Sequence, residues 1–219
     1  MPVYTSEALI LRTYKLGEAD RIVVFLTRDR GKKRGVAKGA RRAKSKFTGT
    51  LESLTRAGVA YYERELRDLV RINYVEPQRS PLAVVARSTP DASALGHSEY
   101  FAELIDEWAP EGHADERLYR LGSSMIDALA DGAPTDRLAR YFEFWLLRLQ
   151  GVYEPGDDLS AGARAFLAAA RTASPFAAGT LAVSKAALRE LEVAHRALIA
   201  KHLEKNLKSA RVLMEMQRI

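Results

Sequence analysis

The hydrophobic pattern of the chain changes period near Pro81, and this change restricts the fold more than any other feature. Before it, Ala8–Leu11 and Ile22–Leu26 are short apolar runs of a length typical of strands buried on both faces. A looser run at Leu51–Tyr62 and a clean alternation over Leu69–Val75 predict two more strands. The N-terminal third is therefore expected to be β structure.

The segment between these runs is rich in basic residues and carries glycine at every fourth position from Gly31 to Gly39. This spacing disfavours a regular helix and predicts a bent strand that leads into a loop. In the last strand, the alternation places Tyr74 on the same face as Val70 and ends at Pro77. Five strands in fewer than 80 residues predict a small closed or nearly closed barrel, because closure removes the free strand edges.

After Pro81 the apolar residues recur at helical spacing. The segments with this spacing are Val84–Val85 with His97–Trp108, Asp115–Leu129, a helix from Pro134 to Gly151, Ala161–Thr172, and Ser184–Met216 with a break near Asn206. The helix from Pro134 is apolar nearly all round, so we expect it in the middle of a bundle. Ser184 is expected to cap the last segment. The fold class is therefore α+β.

A second strong signal is the distribution of charge. Ten Lys and Arg residues stand between Arg28 and Lys46 against the single acid Asp29, which gives this strip a net charge of +9. The whole chain carries +6, so the remaining 200 residues sum to −3. Soluble proteins usually mix their surface charges, so such a strip favours a site for a polyanion, nucleic acid first and an anionic membrane surface second. A solvated loop is the alternative.

The strip mixes its cations with small residues, which let a backbone approach a phosphate chain. The candidate DNA-binding residues are Arg34, Lys38, Arg41, Arg42, Lys44, Lys46 and Phe47. Phe47 is included because aromatic side chains beside such a strip can stack on bases. Tyr4, Tyr61 and Tyr62 could do the same, although core packing is the stronger expectation for Tyr4 and Tyr61.

Signals for catalysis are weak. The chain has no cysteine, which excludes disulfides, thiol nucleophiles and cysteine-based zinc sites. Glu18 and Asp20 could hold Mg²⁺ in a nuclease, but turns often carry such pairs. His195 and His202 would lie roughly 10 Å apart on a helix, too far to share one ion, and an exposed or dipole-compensating role is the better expectation. Phosphate-binding glycine motifs are absent. We expect no catalytic residue, metal or cofactor.

Several segments resemble one known family. They are Glu7–Thr13, Gly17–Val23, Leu26–Arg28, Gly35–Arg42, Lys44–Phe47, the central Phe142–Gly151 and the C-terminal Leu207–Arg211. In order and spacing they are similar to the RecO family of bacterial DNA repair proteins. The resemblance implies an OB-fold barrel over residues 1–79, followed by a helical domain over 80–219. It also implies binding of single- and double-stranded DNA, annealing of complementary strands, and help for RecA on DNA coated with single-strand-binding protein, in the RecF pathway.

The resemblance also implies partners. They are RecR and the acidic, apolar C-terminal tail of single-strand-binding protein, for which Arg140 and Arg148 are candidate groove-rim residues. Many family members carry a four-cysteine zinc module after the central helix, whereas this chain has no cysteine there. We therefore expect a zinc-free insert over residues 152–182, held by packing of Leu159, Phe166, Leu167 and Phe176.

With no apolar run near the ~18 residues of a membrane span and no signal-peptide pattern, the expected location is the cytoplasm, in association with the nucleoid. Three alternatives remain open at this point. They are an OB-type RNA-binding protein, a Mg²⁺-dependent nuclease that uses Glu18 and Asp20, and a scaffold whose basic strip binds an acidic partner.

Overall fold

The computed structural model describes residues 2–63, 68–81, 92–155, 158–205 and 207–216. Its N-terminal part holds the strands β1 (Val3–Leu16), β2 (Asp20–Thr27), β3 (Gly31–Ala37), β4 (Thr55–Tyr62) and β5 (Leu69–Arg79). They close a barrel in the order β1-β2-β3-β5-β4, in which β3 and β5 pair in parallel and the other neighbours are antiparallel. This five-stranded barrel confirms the predicted OB-fold architecture.

The two continuous apolar runs are explained by burial on both faces of the barrel wall. Ile10 and Phe25 point into the barrel and are completely buried there. Leu9 and Leu26 lie next to them in sequence, point outwards, and are buried against the helices. A strand with two buried faces needs no polar alternation, so these runs carry none.

Two predictions for β5 are wrong. The strand continues through Pro77 to Arg79, along a stretch that pairs only with β4, where a missing N–H can face away from the ladder. A register shift between Ala60 and Tyr61 of β4 leaves one extra residue on β5. This bulge reverses the alternation, so Tyr74 is 42% exposed whereas Val75 is buried.

The C-terminal part is helical. Its described helices are α1 (Ala92–Trp108), α2 (Glu116–Ala130), α3 (Thr135–Leu149), α4 (Ala161–Ala170), α5 (Pro175–Gly179), α6 (Lys185–Leu203) and α7 (Lys208–Met216). As predicted, α3 is buried over most of its surface, and Ser184 caps α6 by accepting a hydrogen bond from the amide of Ala187. Val84, Val85 and Asn206 lie outside the described residues, but the last segment is indeed divided, between Leu203 and Lys208.

The insert is built from α4 and α5. Leu159, Phe166 and Leu167 are buried in the helical core, as expected. Phe176 is 50% exposed, so its predicted packing role is wrong. The domain boundary between residues 79 and 80 stays a prediction. Within the described ranges, no helix is long and apolar enough to span a bilayer.

Close contacts hold the barrel against the helices. A Cβ added to Gly122 of α2 would lie 2.6 Å from a methyl group of Leu9, so the helix backbone needs a glycine to approach β1 this closely. Beside it, Arg56 of β4 makes a bidentate pair with Asp127, with both N–O distances 3.1 Å. On the next side, the Nζ of Lys32 donates to the carbonyl of Asp106 at 2.6 Å. Through these contacts the helical part covers one side of the outer barrel surface.

Candidate nucleic-acid interface

The basic strip forms two structures, the end of the β2–β3 hairpin with β3 itself, and a loop that follows Ala37. We call residues 38–46 the basic loop. Its path is fixed at one end of the barrel, where the carboxylate of Asp20 accepts a hydrogen bond from the amide of Gly39 at 2.8 Å. The amide of Arg41 donates to the carbonyl of Ala19 at 2.9 Å. The loop is thereby attached to the β1–β2 turn.

The first five cations of the strip are paired with carboxylates. The pairs are Arg28 with Glu7 and Glu116 (both 3.4 Å), Arg30 with Asp29 (3.6 Å), Lys32 with Asp106 (3.4 Å) and Glu111 (3.5 Å), Lys33 with Glu63 (2.7 Å), and Arg34 with Glu111 (3.1 Å). Three of these acids, Asp106, Glu111 and Glu116, belong to the helical part. The positive charge of this half of the strip is therefore largely neutralised within the molecule.

The second five cations have no such partners among the described residues. They are Lys38, Arg41, Arg42, Lys44 and Lys46, and all five are exposed. None of them lies within 4.0 Å of a carboxylate oxygen in the part of the chain that the structure describes. The sequence from residue 38 to residue 51 contains no acid. The basic loop is therefore a concentrated region of unneutralised positive charge.

Two other candidate residues, Arg34 and Phe47, are engaged within the protein, unlike the cations of the basic loop. Arg34 is exposed, but its guanidinium is held by Glu111. Phe47 is 2% exposed and packs in the barrel core, with the Nζ of Lys46 5.3 Å from its ring centroid. This burial departs from the expectation that Phe47 stacks on bases. Its ring instead anchors the loop to the barrel.

An open cleft of about 720 Å³ lies between the β1–β2 turn and the start of the basic loop. Its lining includes Gly17, Gly39, Lys38 and Arg42. Glycine leaves backbone accessible there, but Glu18 and Asp20 line the cleft together with the two cations. The cleft itself is therefore not a concentrated positive site, in contrast to the basic loop beside it.

The acids proposed for a nuclease are not arranged for a metal. The carboxylate of Asp20 is already engaged by the amide of Gly39. Among the residues with a described position, no group of three or more His, Cys, Asp and Glu side chains could hold an ion. The nuclease alternative therefore gains no support from the geometry.

In the helical part, Arg140 is buried in a polar cluster that lines a small cleft. Glu143, which is 2% exposed, accepts hydrogen bonds at 2.8 Å from both Arg140 and the hydroxyl of Tyr100. Nδ1 of His195 lies 3.0 Å from its other oxygen. His195 is completely buried, so the expectation of an exposed position is wrong for it. Burial alone would raise the pKa of Glu143, but Arg140 and His195 outweigh it and hold the pKa below its ordinary value.

Arg148, the other rim candidate, is exposed. Its guanidinium lies 5.5 Å from the ring centroid of Phe144 and 5.8 Å from that of Trp145. Sequence reasoning did not single out two further exposed residues, Tyr14 and Arg71. Tyr14 was missed because β1 runs five residues beyond the apolar run at Leu11, to Leu16, and polar alternation is the signal that could have revealed it.

Comparisons with known proteins agree with this architecture. Residues 1–81 match the family model for the N-terminal part of recombination protein O, and residues 89–155 match the model for its C-terminal part. The DNA repair protein RecO of Geobacter sulfurreducens is 38% identical over 179 residues, which cover 80% of this chain and 69% of that relative. The chain belongs to the RecO family of DNA repair proteins.

Two other RecO proteins have shorter alignments. Those of Koribacter versatilis and Bifidobacterium animalis subsp. lactis are 39% and 54% identical over 146 and 131 residues. The aligned parts cover 67% and 59% of this chain but only 58% and 53% of the two relatives, little more than half of their length. The second family model ends at residue 155, so most of the insert and the last two helices lie outside both RecO models.

Proposed function

We propose that the chain is a DNA-binding repair protein that binds single and double strands and anneals complementary strands. The observation that carries this proposal is the division of the basic strip, in which five cations are neutralised by carboxylates whereas the five of the basic loop are not. Membership of a DNA repair family makes DNA the preferred polyanion. The chain would act as a binding protein and not as an enzyme.

The mechanism is electrostatic. Two complementary strands repel each other through their phosphates. Cations that are not engaged within the protein replace the counterions on both strands, and the released ions provide a favourable entropy. The encounter rate rises because the local repulsion falls, and no base needs to be read. The proposal needs no nucleotide.

The first test is the salt dependence of binding to a single strand, measured by fluorescence anisotropy. If the five cations of the basic loop each contact a phosphate, log K should fall with log salt with a slope of roughly −3.5. A variant with Lys38, Arg42, Lys44 and Lys46 changed to Gln keeps Arg41, which also donates to the carbonyl of Gly17 at 2.7 Å. Its slope should shrink to about −0.7.

A matched control removes four exposed cations from the helices, by changing Arg117, Arg120, Lys185 and Arg189 to Gln. This control has the same net charge as the loop variant, so the two proteins separate a local site from a general charge effect. Annealing of two complementary DNA strands should be fast for the wild type and the control, and lost in the loop variant. A slope near zero for the folded wild type, or equal losses in both variants, would contradict the proposal. Preference for structured RNA without annealing would favour the RNA-binding alternative.

The pathway role is the finer part of the proposal. Within the family, such a protein would assist RecA loading onto DNA coated with single-strand-binding protein, with RecR and the tail of single-strand-binding protein as partners. Arg148 is the better of the two rim candidates, since it is exposed whereas Arg140 is buried. A protein of this kind would act on the nucleoid in the cytoplasm.

A further inference from the structure

Strand β1 uses only part of its length to close the barrel. Within the described residues, β4 pairs with β1 from Val3 to Ile10, whereas β2 pairs with it as far as Leu16. The stretch Leu11–Leu16 therefore has a neighbouring strand on one side only. On its other side, every second residue directs its N–H and C=O away from β2, as in any antiparallel strand. Such a free edge is a template for a further strand.

The edge is free because the chain turns away from β1 at Leu54. The amide of Leu54 donates to the carbonyl of Ile10 at 2.7 Å, and its φ of 58° lies in the left-handed region, which residues other than glycine seldom adopt. The side chain of Leu54 is completely buried, which holds this conformation. Glu52 and Ser53 consequently lie beside the edge of β1 without joining its ladder.

The free edge opens into a cleft of about 650 Å³, which we call the β1 cleft. This volume is typical of ligand pockets, which measure about 300–1,000 Å³. Besides β1, its walls are formed by the chain before β4, by α1 and by α7. Two exposed apolar side chains flank it, Tyr14 at 46% and Val212 at 47%. The apolar lining residues are Leu11, Tyr14, Pro81, Leu95 and Val212.

The charges of the β1 cleft favour a basic occupant. Arg12 is engaged by Glu103 of α1, with an Nη 3.7 Å from the carboxylate. Glu103 also accepts hydrogen bonds from the first amides of α7, which fixes this helix at the side of the cleft. The exposed Glu52, Glu99 and Lys208 have no ion pair among the described residues. Two acids against one base leave the open part of the cleft negative.

We propose that the β1 cleft docks an extended segment of a partner protein, with apolar residues on one face and at least one Lys or Arg beside them. The segment pairs with Leu11–Leu16 as an added strand, packs its apolar side chains against Tyr14 and Val212, and places its cation near Glu52 or Glu99. In docking of this kind, main-chain hydrogen bonds provide affinity and side-chain pockets provide specificity. The site uses none of the cations of the basic loop, so it does not depend on the proposed DNA binding.

The probe for the test is a fluorescein-labelled peptide of alternating valine and lysine, long enough to span Leu11–Leu16. In one matched peptide glutamate replaces lysine. The other keeps the sequence of the probe but carries methyl groups on alternate backbone amides, which removes the donors that an added strand needs. By fluorescence anisotropy, the wild type should bind the probe about 5- to 150-fold more tightly than the methylated peptide, the range for the loss of two hydrogen bonds. The acidic peptide should also bind more weakly than the probe.

A double variant, Glu52→Lys with Glu99→Lys, tests the charge of the cleft. Its control changes two exposed acids elsewhere, Glu154→Lys with Asp158→Lys, and has the same net charge. Probe binding by the cleft variant should be weaker than by the control by about 4-fold or more, because two attractive contacts become repulsive. Equal binding by the two variants would overturn the inference.

Hydrogen exchange locates the contact. The probe should slow exchange of the amides of Leu11–Leu16 and leave those of the basic loop unchanged. Protection confined to other segments, equal binding of the methylated peptide, or a Kd for the probe above about 1 mM would overturn the inference. Tighter binding of the acidic peptide would also overturn it, and would indicate an acidic tail as the occupant. None of these results alters the salt slope of roughly −3.5 that tests the proposed function.

Discussion

Glu143 offers the sharpest test of how the helical part is held together, and the perturbation is Glu143→Gln. The carboxylate joins Tyr100 of α1, Arg140 of α3 and His195 of α6, at 2.8, 2.8 and 3.0 Å. Glutamine has nearly the same shape, but its amide nitrogen cannot accept from a donor. At least one buried donor then loses its acceptor, and Arg140 keeps only its longer ion pair with Glu192, at 3.8 Å.

The magnitude follows from burial. Removing one partner of a buried ion pair costs about 3–5 kcal/mol, because the other charge stays in a medium that solvates it poorly. Domains have total stabilities of about 5–15 kcal/mol, so this is a large fraction. With a urea m-value of about 2–3 kcal/mol/M, the midpoint of unfolding should fall by about 1–2 M.

The pH dependence gives a second readout. The pKa of Glu143 is held below its ordinary value in the folded state, with Arg140 and His195 outweighing the opposite effect of burial. A lowered folded-state pKa means that the stabilisation is fully present above the unfolded-state pKa and is lost as the pH falls through the folded-state pKa. The difference between the wild type and Glu143→Gln should therefore be constant near neutral pH and shrink below about pH 4.

Urea unfolding followed by circular dichroism at several pH values measures both quantities. Glu215→Gln is the control, because Glu215 is exposed and its only described ion pair, with Arg211, is at 4.0 Å. The control should change the free energy of unfolding by less than about 0.5 kcal/mol. A loss below about 1 kcal/mol in Glu143→Gln, or a difference that persists unchanged at pH 3, would refute the reasoning.

Two further predictions concern the barrel. Phe47→Leu should keep the affinity for single-stranded DNA within about 3-fold of the wild type, because the buried ring serves packing and a leucine can fill most of its volume. A loss of affinity for single strands that is absent for duplexes would instead support a stacking role for Phe47. Gly35→Ala should lower the free energy of unfolding by about 1–3 kcal/mol, since its Cβ would lie 2.7 Å from Ile72 and 2.9 Å from Val70 inside the barrel. Urea unfolding checks this value, and an unchanged midpoint would show that the barrel interior can relax.

The sequence predicts those parts of the fold that depend on local pattern. The runs at Ala8–Leu11 and Ile22–Leu26 are β-rich and short, and both belong to strands. The N-cap at Ser184 depends on a local hydrogen bond and is also predicted. The exposure of Tyr74 could not be predicted from the sequence, because it depends on a bulge whose position is set by the pairing of β5 with β4.

Polar residues of the helical core are harder to predict for the same reason. His195 and Arg140 are typical surface residue types, and a helical wheel places nothing unusual beside them. Both are buried beside Glu143 of α3, whose two carboxylate oxygens contact Arg140 of the same helix and His195 of α6. Such a cluster exists only after the helices pack, so no single segment contains its signal. The same holds for Phe176, whose short helix leaves it outside the core.

The candidate site shows most clearly what tertiary structure adds. A count of all ten cations from Arg28 to Lys46 would imply a salt slope of roughly −7 on a single strand. The structure divides the same ten residues, because carboxylates of the helical part and of the barrel itself reach the β2–β3 turn and β3 but not the loop after it. A cation held by a carboxylate reaches a phosphate only after its ion pair opens, so it adds nothing to the slope while the pair stays closed. A measured slope near −3.5 would therefore assign phosphate binding to the five unpaired residues, whereas a slope near −7 would mean that the ion pairs of β3 open when DNA binds.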